Sequence, residues 1–354
     1  MRSPVDPAKC RPWVIFAFFV TQEASAFEQR GRRQQMKNMK IVSLLPSATE
    51  IVYALGLGDH LAAVTHECDY PLEARQKPVI TRSLLPPGLS SGAIDQAVRG
   101  QLDQSHSLYT IDRALLSEIK PDLILTQQLC DVCAVSYGDV LAAAHSLPEP
   151  SPHILNLEPN SLEDVLDTVR LVGMATGQDA EADEVLAGLR GRIAEVRRRV
   201  GQARTRPRTI LLEWIEPLFG GGHWNPEMVE IAGGVDTVGR GHKPSTRVSW
   251  ETIRDFAPEV LVVAQCGFGV KRSALDMPLL EALPGYADLP AVRAGRVYVV
   301  NGSDYFSRPG PRLVDSLEML ATLLHPQLFG PLQTSPAQVV QWPYHPPEFQ
   351  APKS

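Results

Sequence analysis

Asp179-Ala-Glu-Ala-Asp-Glu-Val-Leu-Ala-Gly-Leu-Arg-Gly-Arg-Ile-Ala-Glu-Val-Arg-Arg-Arg-Val200 is the stretch on which the reading of the fold turns. Within it Ala182, Val185, Leu186, Leu189, Ile193, Val196 and Val200 recur every three or four residues, the period of one helical face. The other faces are charged. Asp179, Glu181, Asp183 and Glu184 open the segment and Arg197, Arg198 and Arg199 close it, so both ends complement the dipole of a helix running from Gln178 to Gln202. At ~1.5 Å per residue such a helix spans roughly 30 Å or more, the width of a small domain. That length suits a strut between two lobes better than a crossover inside one sheet. Taken alone, the segment reads equally well as an amphipathic surface helix, and its flanks decide between the two.

A chain of 354 residues is long enough for two domains with a core each. Its 44% hydrophobic and 21% charged residues are ordinary for a globular protein, and a net charge of -6 offers no basic field for nucleic acid or an anionic membrane. The apolar run Trp13 to Val20 is too short to span a bilayer. Arg2, Lys9 and Arg11 precede that run and Ala24-Ser25-Ala26 follows it, in the order of an export signal occupying residues 1–26. Glu23 beside the cleavage point speaks against that reading, and Met36 and Met39 offer alternative starts just before the first strand. The first reading implies export to the periplasm and the second a cytoplasmic protein. Either way residues 1–39 stand outside the fold.

From Lys40 onward short apolar strands alternate with helices. Ile41 to Leu45 reads as a strand, and Pro46-Ser47-Ala48-Thr49-Glu50 as a helix start with Ser47 and Glu50 spaced as a capping box. Leu61 to Thr65 and Val79 to Thr81 read as two more strands, with the loop His66-Glu67-Cys68-Asp69-Tyr70-Pro71 between them. Residues 84–108 look like an insertion, punctuated by Pro86-Pro87-Gly88 and Ser90-Ser91-Gly92 and holding a short helix from Ile94 to Val98; a lid and a tolerated surface loop are both open. Asp122 to Thr126 and Ile154 to Leu157 complete the first set of strands, and a capped helix from Ser161 to Thr176 leads into the strut.

The same order returns beyond the strut, with strands at Thr209 to Trp214 and Arg296 to Asn301 and a last helix from Arg312 to Leu324. The clearest internal echo sets Pro121-Asp-Leu-Ile-Leu-Thr-Gln-Gln-Leu-Cys130 against Pro258-Glu-Val-Leu-Val-Val-Ala-Gln-Cys266. Strands separated by helices make parallel sheets, and two such sets joined by one helix make an α/β protein of two Rossmann-like, doubly wound lobes. The expected boundaries are 40–176 for the first lobe, 177–203 for the connecting helix, 204–325 for the second lobe and 326–354 for a proline-rich tail, wrapped or disordered.

Ligands of such sheets sit beyond the carboxyl ends of the strands. Two facing lobes then gather His66, Cys68, Tyr70, Gln128, Cys130 and Cys133 from one side with His223, Trp224, Cys266, Asp304, Tyr305, Phe306 and Arg308 from the other. The motifs Pro46-Ser-Ala-Thr-Glu50, Asp69-Tyr70-Pro71, Lys120-Pro-Asp-Leu123 and Ser303-Asp304-Tyr305-Phe306 before Pro311-Arg312 resemble those of the vitamin B12 and ferric-chelate substrate-binding proteins of ABC importers. That resemblance covers residues 40 to 325 and implies a periplasmic-binding-protein-like fold with a rigid helix between the lobes. It also implies a corrin site lined by Tyr70, Tyr305 and Phe306, and docking to an ABC permease through Glu251. The first-lobe counterpart of Glu251 is obscured by the insertion.

Cysteines depart from that pattern. A single Cys is usually a small buried hydrophobe, but Cys68, Cys130, Cys133 and Cys266 all fall at strand ends, and Cys130-x-x-Cys133 is a spacing that can bind zinc, hold a redox disulfide or help ligate an iron–sulfur cluster. Trp224, in a Gly-rich loop, reads as a contact residue, and Arg308 as a partner for a ligand carboxylate or phosphate or as a brace for its own loop. No nucleophile elbow, phosphate loop or His-Glu-x-x-His motif is present. The expectation is a monomeric, non-enzymatic receptor that clamps cobalamin or a related metal chelate between its lobes, with His66, His223 or a thiolate reaching the metal. The alternative is a cytosolic metal-thiolate or redox protein, even an enzyme, built on the same scaffold.

Overall fold

The structure is a computed structural model that describes residues 38–105, 108–128, 135–331 and 333–343. In the first lobe β1 (Ile41–Ser43), β2 (Leu61–Ala63), β5 (Leu123–Thr126) and β6 (His153–Asn156) form a parallel sheet in the order β2-β1-β5-β6, while β3 (Thr81–Ser83) and β4 (Tyr109–Ile111) make a separate antiparallel pair. The third expected strand is therefore divided. Val79 bridges to Val64 at the margin of the sheet, and Thr81 belongs to the ribbon from which the insertion emerges.

The second lobe contains β7 (Thr209–Trp214), β8 (Phe219–Gly220), β9 (Gly222–His223), β10 (Arg240–Gly241), β11 (Val260–Val263), β12 (Val297–Val300) and β13 (Val339–Trp342). Its main sheet runs β13-β12-β11-β7-β8, parallel in the middle and antiparallel at both edges. Of the wrapped and disordered alternatives for the tail, residues 339–342 follow neither as a loose segment: β13 pairs with β12 from Val297 opposite Trp342 to Val300 opposite Val339. Proline masks this strand in the sequence, yet Val339 and Val340 bury their side chains and cover an edge that would otherwise stay unpaired. The second lobe thus continues to at least Trp342.

The internal echo is carried by the backbone. Lys120 and Ala257 each end a helix in the left-handed region, at φ 51° and 50°, and each is followed by proline. Asp122 then accepts the amide of Lys40 at 2.8 Å, as Glu259 accepts the amide of Arg208 at 2.9 Å. Two central strands, β5 and β11, are thereby tied in the same manner to the strands beside them.

The strut is a single helix, Asp179–Val200, turned back on the helix Leu162–Thr176 at Gly177, whose φ of 64° suits glycine. Ser161 and Asp164 cap the latter helix reciprocally. Ala182, Leu186, Leu189, Ile193 and Val196 are the buried stripe, each large one worth about 1.5–3 kcal/mol relative to exposure. Arg192 reaches Glu318 at 2.6 and 2.9 Å and Asp315 at 2.5 Å on the helix Leu313–Leu324 of the second lobe, and Arg190 pairs with Glu163 of the first. One apolar core consequently runs from Ile41 and Leu125 through Leu186 and Ile193 to Leu317, Leu320 and Val262. Lobes sharing a core through a helix have little freedom to hinge.

Two local expectations change. Ser47 and Glu50 do not form a capping box: the helix Pro46–Ala54 follows Leu45 without a side-chain cap, and Glu50 is turned to charged partners in the other lobe. The helix in the insertion is Ser91–Ser105, longer than the Ile94 to Val98 segment at both ends.

Candidate functional site

Both sheets end in the same region. After β1 comes the helix bearing Glu50, after β2 the loop with Asp69 and Tyr70, and after β12 the segment Gly302–Leu313 that crosses to them. Asn301 shapes that crossing: its Oδ1 accepts from the Asp304 amide at 3.0 Å and its Nδ2 donates to the Asp304 carboxylate at 2.8 Å. Gly302 lets the chain pass, since a Cβ there would lie 2.2 Å from the carbonyl oxygen of Gln265. The wide turn Gly302–Phe306 sends adjacent residues different ways. Phe306 enters the core with no exposed surface, whereas half-buried Tyr305 stays at the site, within reach of the Arg312 guanidinium.

Arg308 donates to Asp69 at 2.7 Å and to Glu50 at 3.3 Å, and Arg312 donates to Glu50 at 2.6 Å. Arg308 and Glu50 are both almost fully buried. Burial pushes the Glu50 carboxyl above its usual range, opposed by Arg312 and Arg308; burial also works against the charge of Arg308, but Asp69 and Glu50 hold its pKa above the ordinary value. Arg308 is thus a brace between the lobes. Gly310 brings its own backbone onto the first helix, where a Cβ would stand 3.3 Å from Glu50 Oε2. The Arg312 guanidinium lies 3.9 Å from the centre of the Tyr70 ring and 5.4 Å from that of Tyr305, an aromatic pair spanned by one cation.

A second stack stands at the ends of β7 and β11. Trp214 and Phe268 have ring centres 4.9 Å apart, and Arg272 is 4.2 Å from the Phe268 centre. Arg272 also binds Asp276 at 3.0 Å, and Asp276 receives the amide of fully buried Gln265 at 2.9 Å. His66 is exposed at the first-lobe rim, its Nδ1 2.8 Å from Thr81 Oγ1 and its ring 5.6 Å from Tyr109; Nε2 is the nitrogen that Thr81 does not occupy.

The remaining candidates separate. Gln128 is exposed at the end of β5, and Glu251 is exposed in the first turn of the helix Trp250–Phe256. Trp224 is buried rather than presented on its loop; its indole donates to the Phe306 carbonyl at 2.9 Å, and His223 stacks on it at 5.4 Å. Burial lowers the His223 pKa, which favours neutral imidazole. Cys68 is in the core, 3.1 Å from the Thr49 hydroxyl and 3.2 Å from that of Thr65, and burial pushes its thiol up against those two contacts. Cys266 is half-buried in the other lobe, and both are free thiols. Cys130 and Cys133 lie outside the described residues. Among the described residues no group of three or more His, Cys, Asp or Glu side chains is arranged to hold a metal ion.

Arg272 and Gln338 are site or bracing residues that motif reading passed over, while Glu50 and Arg312 stood in the motifs without the bracing role the structure gives them. For Arg312 the best signal was the spacing Arg308-Pro-Gly-Pro-Arg312: two cations four apart on a stiff segment with one glycine at its centre.

The family model described as "Periplasmic binding protein" matches residues 41–303. The chain is similar to the "Vitamin B12-binding protein" of Vibrio cholerae serotype O1, with 25% identity over 288 residues, 80% of this chain and 88% of that protein. It is similar also to the "Uncharacterized ABC transporter substrate-binding lipoprotein YvrC" of Bacillus subtilis, with 24% identity over 302 residues, 82% of this chain and 81% of that one. Among solved structures, the periplasmic heme-binding protein RhuT of Roseiflexus sp. RS-1 superposes with a TM-score of 0.62 at 21% identity, covering 81% of this chain and 98% of that chain. The periplasmic vitamin B12-binding protein BtuF of Vibrio cholerae gives a TM-score of 0.58 at 23% identity, covering 80% and 96%. At these identities the superpositions establish a shared fold.

Proposed function

The chain belongs to the periplasmic binding protein family, and from that premise we propose that it clasps a metal chelate between its lobes, a corrinoid such as cobalamin before heme or a ferric siderophore. It is a non-enzymatic, solute-binding component of an ABC transporter. The observation that carries the ligand class is the Arg312 guanidinium held between the rings of Tyr70 and Tyr305, one from each lobe. Aromatic faces bury a macrocycle, while Arg312 and Arg272 meet carboxylate or amide groups at its edge. His66 Nε2 is the imidazole nitrogen available to an axial position. Arg308, Phe306 and Trp224 serve this site by holding its walls. Glu251 gives the second lobe an exposed acidic contact for a permease, and the receptor works as a monomer.

The test is calorimetric titration of the purified chain with cyanocobalamin, hemin and a ferric siderophore. One-to-one binding of one of them, micromolar or tighter and at least tenfold weaker in Tyr305→Ala, is expected. No binding of any of the three overturns the ligand class and leaves the transport role standing.

A further inference from the structure

The insertion leaves the first lobe between β3 and β4, yet it is fastened to the second. Asp95, in the helix Ser91–Ser105, pairs with Arg247 at 2.9 Å, and Arg247 sits where residue 247 bridges to Phe219 at the sheet edge. Arg272 donates to the Leu89 carbonyl at 3.2 Å while its guanidinium lies over Phe268. The Glu216 carboxylate lies against the first turn of the insertion helix, where a Cβ on Gly92 would be 2.7 Å from Oε2; the helix dipole favours a negative charge at that end. Ser91 is fully buried. Glu216 comes from the loop after β7 and Arg272 from the short helix Val270–Ala274 that follows the loop after β11, so the fastening is made beside the Trp214–Phe268 stack at the carboxyl ends of those strands.

Among the described residues, side-chain ion pairs join the two lobes at two places, and these two bridges differ in kind. At the first, Arg308 and Glu50 have side-chain exposures of 6% and 2%; at the second, Arg247 and Asp95 have 49% and 17%. A buried pair is costly to break, since each partner would be left charged without its counter-ion, whereas a half-solvated pair opens at little cost. We propose that residues 84–101 form a strap across the ligand cleft, latched by Asp95–Arg247 and by Arg272 on Leu89, and that ligand passes in and out by release of this strap with the buried bridge intact. Because Arg272 serves both the latch and the aromatic stack, a ligand that engages Phe268 acts on the strap directly. The location of the cleft rests on the proposed function; the latch itself does not.

Hydrogen exchange and binding kinetics test it together, with Asp95→Asn, Arg247→Gln and the double variant. Released, the strap loses protection at amides 91–101 alone, and the double variant loses no more than Asp95→Asn, which also removes the Arg99 pair within the helix. With hemin and cyanocobalamin as probes, association and dissociation of whichever binds both rise ~2- to 5-fold, the range of a surface ion pair, and affinity hardly changes. A rise in dissociation alone would make the insertion a ligand-contacting wall, and unchanged protection would make it a surface loop; either overturns the latch. If neither probe binds, exchange at 91–101 still decides the strap, and only the ligand class fails.

Discussion

Gln338 Nε2 donates to the Tyr305 hydroxyl at 2.6 Å, so a residue of the proline-rich tail positions an aromatic ring of the candidate site. The same tail residue accepts the Asn301 amide on its carbonyl at 2.8 Å, just before the Gly302–Phe306 turn. Gln338→Ala removes this bond together with those that its Oε1 accepts from the amide and hydroxyl of Ser335, and keeps the strand. Binding of the cognate chelate, measured by calorimetry, should weaken several-fold, in line with about 1 kcal/mol for one hydrogen bond, while the melting temperature hardly moves. Truncation after residue 331 should lower both, because it also uncovers the edge of β12.

The buried bridge makes a stronger demand. Glu50→Ala leaves Arg308 and Arg312 without their shared carboxylate in a site where Arg308 is only 6% exposed. Removing one partner of such a pair costs about 3–5 kcal/mol, which urea denaturation should report as a lower midpoint with an unchanged slope. Glu50→Gln keeps an acceptor for Arg312 and should cost less.

What the sequence disclosed and what it hid divide along local and long-range lines. The strut was legible because Leu186, Leu189, Ile193 and Val196 repeat with the helical period, and β5 and β11 because Pro-Asp and Pro-Glu each restart a strand after a helix. Glu50 was misread because a capping box and a buried ion pair can begin with the same residue, and only Arg308 and Arg312, 258 and 262 positions away, distinguish them. Phe306 and Tyr305 are neighbours of equal motif value, and the wide turn that separates core from cleft cannot be seen in their identities. Cys68 lies in the loop after β2, and its partners Thr49 and Thr65 make its surroundings core-like.

That environment predicts the order of thiol reactivity. The Cys68 thiol is buried and its pKa is raised, so thiolate is scarce and shielded. Peptide mapping after brief iodoacetamide treatment of the native protein should find Cys266, which is partly exposed, modified well before Cys68. Equal labelling of the two would mean that the first-lobe core opens readily near Thr49.

A shared core predicts small closure. Exchange protection of the strut Asp179–Val200 and of β7 and β11 should be the same with and without bound hemin or cyanocobalamin, and differences should be confined to the loops near Tyr70, Tyr305 and Phe268 and to residues 84–101. Broad protection of both lobes on binding would instead indicate a hinge at Gly177 or Gly201.

His325 sets a pH limit on the scaffold. It is 1% exposed, its Nε2 lies 3.2 Å from the Gly233 carbonyl, and burial lowers its pKa from 6.5, partly opposed by that hydrogen bond. A folded-state pKa below the unfolded one means that the unfolded chain binds the additional proton, so stability rises with pH through this range. The contribution is complete above 6.5 and is lost as pH falls toward the folded value. The wild-type melting temperature should therefore drop more between pH 7.5 and 5.5 than that of His325→Gln, a side chain able to donate to Gly233 without titrating. Parallel curves for the two proteins would place the acid sensitivity elsewhere, with His223 as the next group to replace, since burial lowers its pKa in the same direction.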